Sequence, residues 1–262
     1  MLALLAVVVI VLACFFMFKG RATDSPANNS TGRSDATTAE EKQGSGDTQK
    51  AATKQATFDK KQHSTDEPNS PWVIANKRRP LNPKEFAPEL GTPDVPLRLA
   101  AGAQEMMMST QAIPSLEAMF DAAKGQGINL MVASAYRSYG LQVGVYGNEV
   151  KNYGQAEADR QSARPGHSEH QTGLAVDIEP VSRQCEVEDC FGDTPEGKWA
   201  AANAHSYGFV LRYMPGGEAV TGYRHETWHF RYVGKELAEE IHRQGNPPLE
   251  TFFGLGAAPD YQ

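Results

Sequence analysis

Between residues 19 and about 70 the chain almost lacks large apolar side chains, and this most limits what it can fold into. The stretch is built mainly from Ser, Thr, Asn, Gln, Lys, Asp and Ala. Such a segment cannot bury enough surface to offset the entropy of ordering it. It is expected to be a disordered tether over 19–70, which leaves 71–255 for one folded domain and 256–262 as a tail. Ahead of it, Met1 to Phe18 carry no charge and are almost all apolar. At about 1.5 Å rise per residue, a helix of that length just reaches across a hydrocarbon core of about 30 Å. No small-residue cleavage pattern follows, so residues 1–18 are expected to be a retained transmembrane signal-anchor. Lys19 and Arg21 follow it, a bias that on its own points that side toward the cytoplasm. The chemistry argued below points outside instead.

The net charge of −7 supplies no clustered basic face, so nucleic acid is not an expected partner. Of three cysteines, Cys14 lies in the apolar segment, and Cys185 and Cys190 flank the short acidic run Glu186 to Asp189. A disulfide there would fit an oxidising compartment, and two free thiols in a surface loop are the alternative. No second cysteine pair exists to complete a structural zinc shell.

From Trp72 the pattern becomes that of a globular domain. Five prolines between Pro80 and Pro96 predict an irregular entry. Helices are predicted over 111–124, 139–153, 196–207 and 235–244, several of them closed by glycine. Strands are predicted around Ile128 to Val132 and over 174–178, 209–213 and 229–233. Strands and helices do not alternate strictly, so the expected class is α+β, with a small, mainly antiparallel sheet flanked by helices.

Two short segments carry chemistry. In Ser168 to Asp177, His170 precedes a strand and Asp177 lies near its end, beside the small Ala175. In Glu226 to His229, a carboxylate and an imidazole open another strand. His170, Asp177 and His229 together make a two-His, one-carboxylate zinc site with a position open for water, the composition of a catalytic site. Zinc acidifies water to a pKa of about 7. Glu226, a carboxylate outside the ligand set, is placed to take and return the proton.

Four stretches then resemble the VanY-type D-alanyl-D-alanine carboxypeptidases, within the zinc peptidases that include lysostaphin-like and Hedgehog-type domains. They are Ser134-Ala135-Tyr136-Arg137-Ser138-Tyr139 with Gln142, Arg164 to His170, Gly173 to Asp177, and Glu226 to Gly234. The resemblance spans about Trp72 to Gly245 and implies a zinc site on the sheet. It implies His170, Asp177 and His229 as zinc ligands and Glu226 as general base. Arg137 would steady the oxyanion, and Gln142 and Ser168 would contact the substrate's terminal residue and carboxylate. His225 departs from the family pattern, where an aromatic residue is commoner.

The function this implies is zinc-dependent removal of the C-terminal D-Ala from peptidoglycan stem peptides. The rivals are an L,D-carboxypeptidase acting on the tetrapeptide stem and a non-catalytic, zinc-stabilised peptidoglycan-binding module. The expected partners are the stem peptide and, through the N-terminal helix, the membrane. The domain is expected to act as a monomer outside the cytoplasm.

Overall fold

A computed structural model describes residues 58–262. The anchor read over 1–18, and the tether as far as residue 57, lie outside the described residues. Residues 58–70, read above as the end of the tether, belong instead to the domain. Phe58 stacks on Trp72 at 5.6 Å, and the Ile74 amide donates to the Thr65 carbonyl at 3.0 Å. Arg79 donates to the same carbonyl and pairs with Asp66, both at 2.7 Å. Two rings packed on Trp72, those of Phe58 and His63, and a few satisfied backbone groups order what composition marked as unable to fold. The stretch 256–262 is likewise no loose tail. The Ala258 amide donates to the Val220 carbonyl at 2.7 Å, and the Lys77 ammonium donates to the Pro259 carbonyl at 3.0 Å.

The elements in chain order are β1 (Leu90–Gly91), β2 (Met108–Ser109), α1 (Ile113–Gly125), β3 (Leu130–Ser134), α2 (Tyr139–Tyr153), α3 (Gln155–Gln161) and β4 (Ala175–Pro180). There follow α4 (Pro195–Asn203), β5 (Phe209–Leu211), α5 (Glu218–Thr221), β6 (His229–Tyr232), α6 (Lys235–Arg243) and α7 (Leu249–Phe253). The predicted α+β class holds. β3, β4, β6 and β5 lie side by side in that order, every pair antiparallel, with helices around them. The predicted helices are present with shifted ends, while α3, α5, α7 and the β1–β2 ribbon were not anticipated.

Local sequence explains the elements nearest the site. α2 begins where the Ser138 hydroxyl accepts from the Leu141 amide at 3.3 Å, and it stops at Gly154, whose φ is 80°. α1 buries Leu116, Met119, Phe120 and Ala123, one stripe at helical spacing. β4 is buried throughout, and its alternation sorts the two faces of the sheet. Val176 and Ile178 join Phe230 of β6 in the main core, each such side chain contributing about 1.5–3 kcal/mol by leaving water. Asp177 is directly opposite His229, and Ala175 is opposite Arg231. These polar residues share the other face, where the candidate site lies.

Candidate active site

His170 sits in a short 3₁₀ turn, Glu169–Thr172, ended by Gly173 at φ 68°. A Cβ on Gly173 would stand 2.8 Å from the Ser109 backbone nitrogen, so both the conformation and the space demand glycine. The turn aims the imidazole at the sheet. His170 Nδ1 lies 2.6 Å from the Ala135 carbonyl oxygen, to which it can only donate, and this leaves the Nε2 lone pair facing Asp177 Oδ2 at 3.3 Å. His229 Nδ1 lies 3.1 Å from Asp177 Oδ1, and its Nε2 lies 3.4 Å from Glu169 Oε2. One ligand atom from each of His170, Asp177 and His229 falls within 4.8 Å of the others, and all three residues are buried. Two fixed imidazoles and a carboxylate fit zinc, and each imidazole has its second nitrogen held by an oxygen, as a ligating histidine needs.

The electrostatics agree. Burial alone would raise the Asp177 pKa, but His170 and His229 outweigh it and hold the carboxyl well below the usual range. Burial opposes charge on His229 too, yet its hydrogen bonds to Asp177 and Glu169 raise it to about 9. A zinc ion held by His170, Asp177 and His229 would take the place of a proton there. Glu226 moves the other way: burial, with the nearby Asp177 charge, pushes it up to about 7, while His229 partly offsets the rise. Its Oε2 lies 3.7 Å from His229 Nδ1, at the edge of the triad and outside it.

Arg137 follows β3, and its amide donates to the His170 carbonyl at 3.2 Å, which ties it to the metal turn. Its guanidinium donates to Gln142 Oε1 at 3.1 Å and to Ser134 Oγ at 3.2 Å. Burial lowers its pKa, and Asp177 and Glu226 oppose that shift. A guanidinium stays charged under such pressure. Arg137, Ser168 and Glu226 line one cavity of about 330 Å³ with the triad. Tyr213, Tyr223 and Trp228 form part of its wall.

The structure moves Gln142 out of the role read from sequence. It is fully buried, does not line the cavity, and donates to the Ala163 carbonyl at 2.7 Å and to Ser162 Oγ at 3.2 Å. All of its amide is used in holding Arg137 against the Ser162–Ala163 backbone, so it positions the arginine. His225 also stays out of the cavity, its Nδ1 lying 2.6 Å from the Tyr213 carbonyl. His167 binds the Asn76 carbonyl through Nδ1 at 2.8 Å and packs edge-on against Tyr261. Trp228 is both core and cavity wall. Cys185 and Cys190 form a disulfide.

Sequence reasoning missed Glu169. Its carboxylate accepts from Arg212 Nε at 2.8 Å and Arg231 Nη1 at 2.9 Å while it faces His229. Arg212 is also gripped by both oxygens of Glu250, at 2.7 and 3.0 Å. Burial would raise the Glu169 pKa, but the two arginines outweigh it and hold it well below the ordinary range. The available signal was a glutamate next to a ligand in a stretch otherwise destined for burial, with Arg231 inside a strand two residues after the other histidine.

Residues 105–235 match the VanY family, D-alanyl-D-alanine carboxypeptidase. The putative carboxypeptidase YodJ of Bacillus subtilis (strain 168) is 41% identical over 187 residues, which cover 71% of this chain and 68% of the relative. The structure of the LdcB LD-carboxypeptidase is 40% identical, with a TM-score of 0.67, over 71% of this chain and 87% of that one. A vancomycin resistance D,D-pentapeptidase, a VanY variant in complex with Zn(II), is 31% identical with a TM-score of 0.58, over 69% of this chain and 97% of that one. The match over half the sequence, the extent of the identity and the shared architecture agree with the triad, and the chain belongs to the VanY family of D-alanyl-D-alanine carboxypeptidases.

Proposed function

We propose that this chain is a zinc-dependent D-alanyl-D-alanine carboxypeptidase that removes the C-terminal D-Ala of peptidoglycan stem peptides. The observation that carries the reading is the convergence on one cavity of the buried His170–Asp177–His229 triad, the buried Glu226 and the half-buried Arg137. Zinc bound to the triad supplies Lewis acidity toward a carbonyl and acidifies water. Glu226 takes the proton of the attacking water and returns it to the leaving amine, a task suited to a carboxyl poised near 7. Arg137, fixed by Gln142 and Ser134, presents its remaining N–H groups to the oxyanion as charge develops. Ser168, buried at the cavity wall, is placed to donate to the substrate's terminal carboxylate. A base held 3.7 Å from a ligand atom favours catalysis over a binding module that uses zinc only for its fold.

Stem peptides lie outside the cytoplasm, so the domain works there as a monomer, held at the membrane by residues 1–18. The Cys185–Cys190 disulfide supports an oxidising location. Protease accessibility on intact cells tests the placement: a domain protected until lysis would refute it. A second reading, L,D-carboxypeptidase action on the tetrapeptide, draws support from the 40% identity to an LD-carboxypeptidase.

The deciding experiment uses the full chain, zinc-loaded, with pentapeptide and tetrapeptide stems side by side and a Glu226→Gln control. D-Alanine release from the pentapeptide, lost in the control, supports the D,D reading. Release from the tetrapeptide alone makes the chain the L,D enzyme. No release from either, with zinc bound, overturns the carboxypeptidase reading.

A further inference from the structure

The loop that leaves β4 takes a backbone path that its residues do not favour. Arg183, Cys185 and Val187 are all left-handed, at φ 60°, 60° and 49°. None is glycine, and a β-branched residue such as Val187 rarely enters that region, because its Cβ crowds the backbone. Such a conformation persists only where its surroundings impose it, and it marks a place where side-chain position matters.

The surroundings do impose it. The Cys185–Cys190 bridge closes the loop around Val187. On the return leg Phe191 is fully buried in the main core. Thr227, between Glu226 and Trp228, shares its hydroxyl proton between the Glu188 and Asp189 carbonyls, at 3.4 and 3.3 Å. The fit there is close, since a Cβ on Gly192 would stand 2.7 Å from Thr227 Cγ2. Of residues 181–190, Val187 alone lines the catalytic cavity, beside Glu226, Trp228 and the metal ligands. Its neighbour Glu186 stays outside, paired with Arg98 at 3.3 Å and with Arg183 at 3.1 Å. The loop thus presents one apolar side chain to the cavity and keeps its charges away from it.

We propose that Val187 is a substrate-contacting residue, an apolar wall that packs on the bound stem peptide, and that Cys185 and Cys190 are positioning residues whose bridge holds it there. A contact of this kind is made alike in the ground and transition states, so it lowers KM and leaves kcat. Opening the bridge removes the contact but leaves Glu226 in place, because the Glu226 amide is held separately by the Tyr213 carbonyl at 3.2 Å. The inference rests on the carboxypeptidase reading above, which supplies the peptide that Val187 meets.

The test uses the full-length, zinc-loaded chain and a pentapeptide stem ending in D-Ala-D-Ala. Wild type is compared with Val187→Gly, with the unbridged variant Cys185→Ser plus Cys190→Ser, and with all three substitutions together. Circular dichroism and bound zinc confirm that each is folded and loaded. Glycine adopts a positive φ freely, so Val187→Gly keeps the path of the loop and removes only the side chain. Its KM should rise about threefold to tenfold, with kcat within about twofold of wild type. The unbridged variant should show the same split. So should wild type opened by a water-soluble phosphine, which becomes its oxide with oxygen from water as two thiols form, and reoxidation should restore KM. Because the bridge acts through Val187, Val187→Gly should add nothing in the unbridged background, whereas independent effects would multiply. A wild-type KM in Val187→Gly or in the unbridged chain, a loss confined to kcat, or multiplied effects in the triple variant overturns the proposal. If wild type releases no D-alanine, the carboxypeptidase reading has failed, and calorimetric titration of the same peptide becomes the readout. Affinity weakened by Val187→Gly, and no further in the triple variant, then still supports the assignment; unchanged or undetectable binding overturns it.

Discussion

Glu169→Gln should damage both the fold and the metal centre, because one carboxylate serves two buried arginines and a zinc ligand. The group is closed: Arg212 and Arg231 are balanced by Glu169 and Glu250, and all four side chains are 0–1% exposed. The substitution keeps the shape and removes one negative charge, which leaves a net cation where water cannot reach. Breaking a buried pair from one side costs about 3–5 kcal/mol. For a domain of roughly 200 residues, where each kcal/mol moves Tm by about 2–4 °C, Tm should fall by about 6–20 °C. The new amide also turns a donor or a weaker acceptor toward His229 Nε2, now 3.4 Å from a carboxylate oxygen. Losing such a partner typically costs about 10–100-fold in metal affinity. Urea unfolding of the zinc-free chain measures the first effect without linkage to metal binding, and competition with a chromophoric chelator measures the second. The sign with pH follows from the depressed pKa of Glu169. Its contribution is fully present above the unfolded value of about 4.3 and is lost as pH falls toward the folded value. The gap between wild type and variant should therefore narrow only in acid. A variant within about 1 kcal/mol of wild type at pH 7, with zinc affinity intact, would refute the argument that this charge is structurally required.

Glu250→Gln probes the far end of the same network. Burial opposes its charge, but Arg212 outweighs it and lowers the pKa, so the variant should be less stable at pH 7 by about 3 kcal/mol and should close on wild type below about pH 4.3. Urea titrations across pH 3–7 check this, and because Glu250 has no contact with His229, zinc affinity should change less than in Glu169→Gln. Arg137→Ala should cut kcat by about 10²–10³ while zinc stoichiometry stays intact, as expected for loss of one oxyanion donor; single-turnover D-alanine release with a bound-zinc assay separates the two. Opening the disulfide by Cys185→Ser with Cys190→Ser should cost about 2 kcal/mol, since the bridge spans a sequence separation of only 5. Urea unfolding of the double variant beside reduced wild type checks it.

How much of this was legible depends on sequence separation. The His170–Asp177 and Glu226–His229 segments each place two functional groups within a few residues, and antiparallel pairing of β4 with β6 needs only to bring the strands side by side. Alternation along β4 already put Asp177 opposite the core face. The span of α2 was also readable, because Ser138 and Gly154 mark both its ends. Gln142 was misread for a related reason: its proximity to Arg137 in sequence was legible, but not that the helix turns its amide inward onto Ser162 and Ala163, about 20 residues away. Residues 58–70 and 256–262 were misjudged by composition, since their order comes from backbone groups and single rings docking on Trp72, Arg79, Lys77 and Tyr223.

The charge network was the least legible part, and the reason bears on how the site keeps its geometry. Glu169 lies 43 residues from Arg212 and 62 from Arg231, and Glu250 lies 38 from Arg212. No local rule pairs such positions. Arg231 also donates to the carbonyls of Pro71 and Val73, at 3.1 and 2.7 Å, and Glu250 accepts from Asn76 at 3.0 Å. The segment entering the domain, the C-terminal helix α7 and the metal turn therefore converge on a single dry cluster. Hydrophobic contacts alone would hold β4 against β6 but would leave the His229 ring free to rotate about its own bond. A carboxylate fixed by two arginines removes that freedom, because moving Glu169 would strand both cations. The ligand geometry is thus maintained by residues far from the metal in sequence, and damage at Pro71 to Asn76 or at α7 should reach the zinc site through the same cluster.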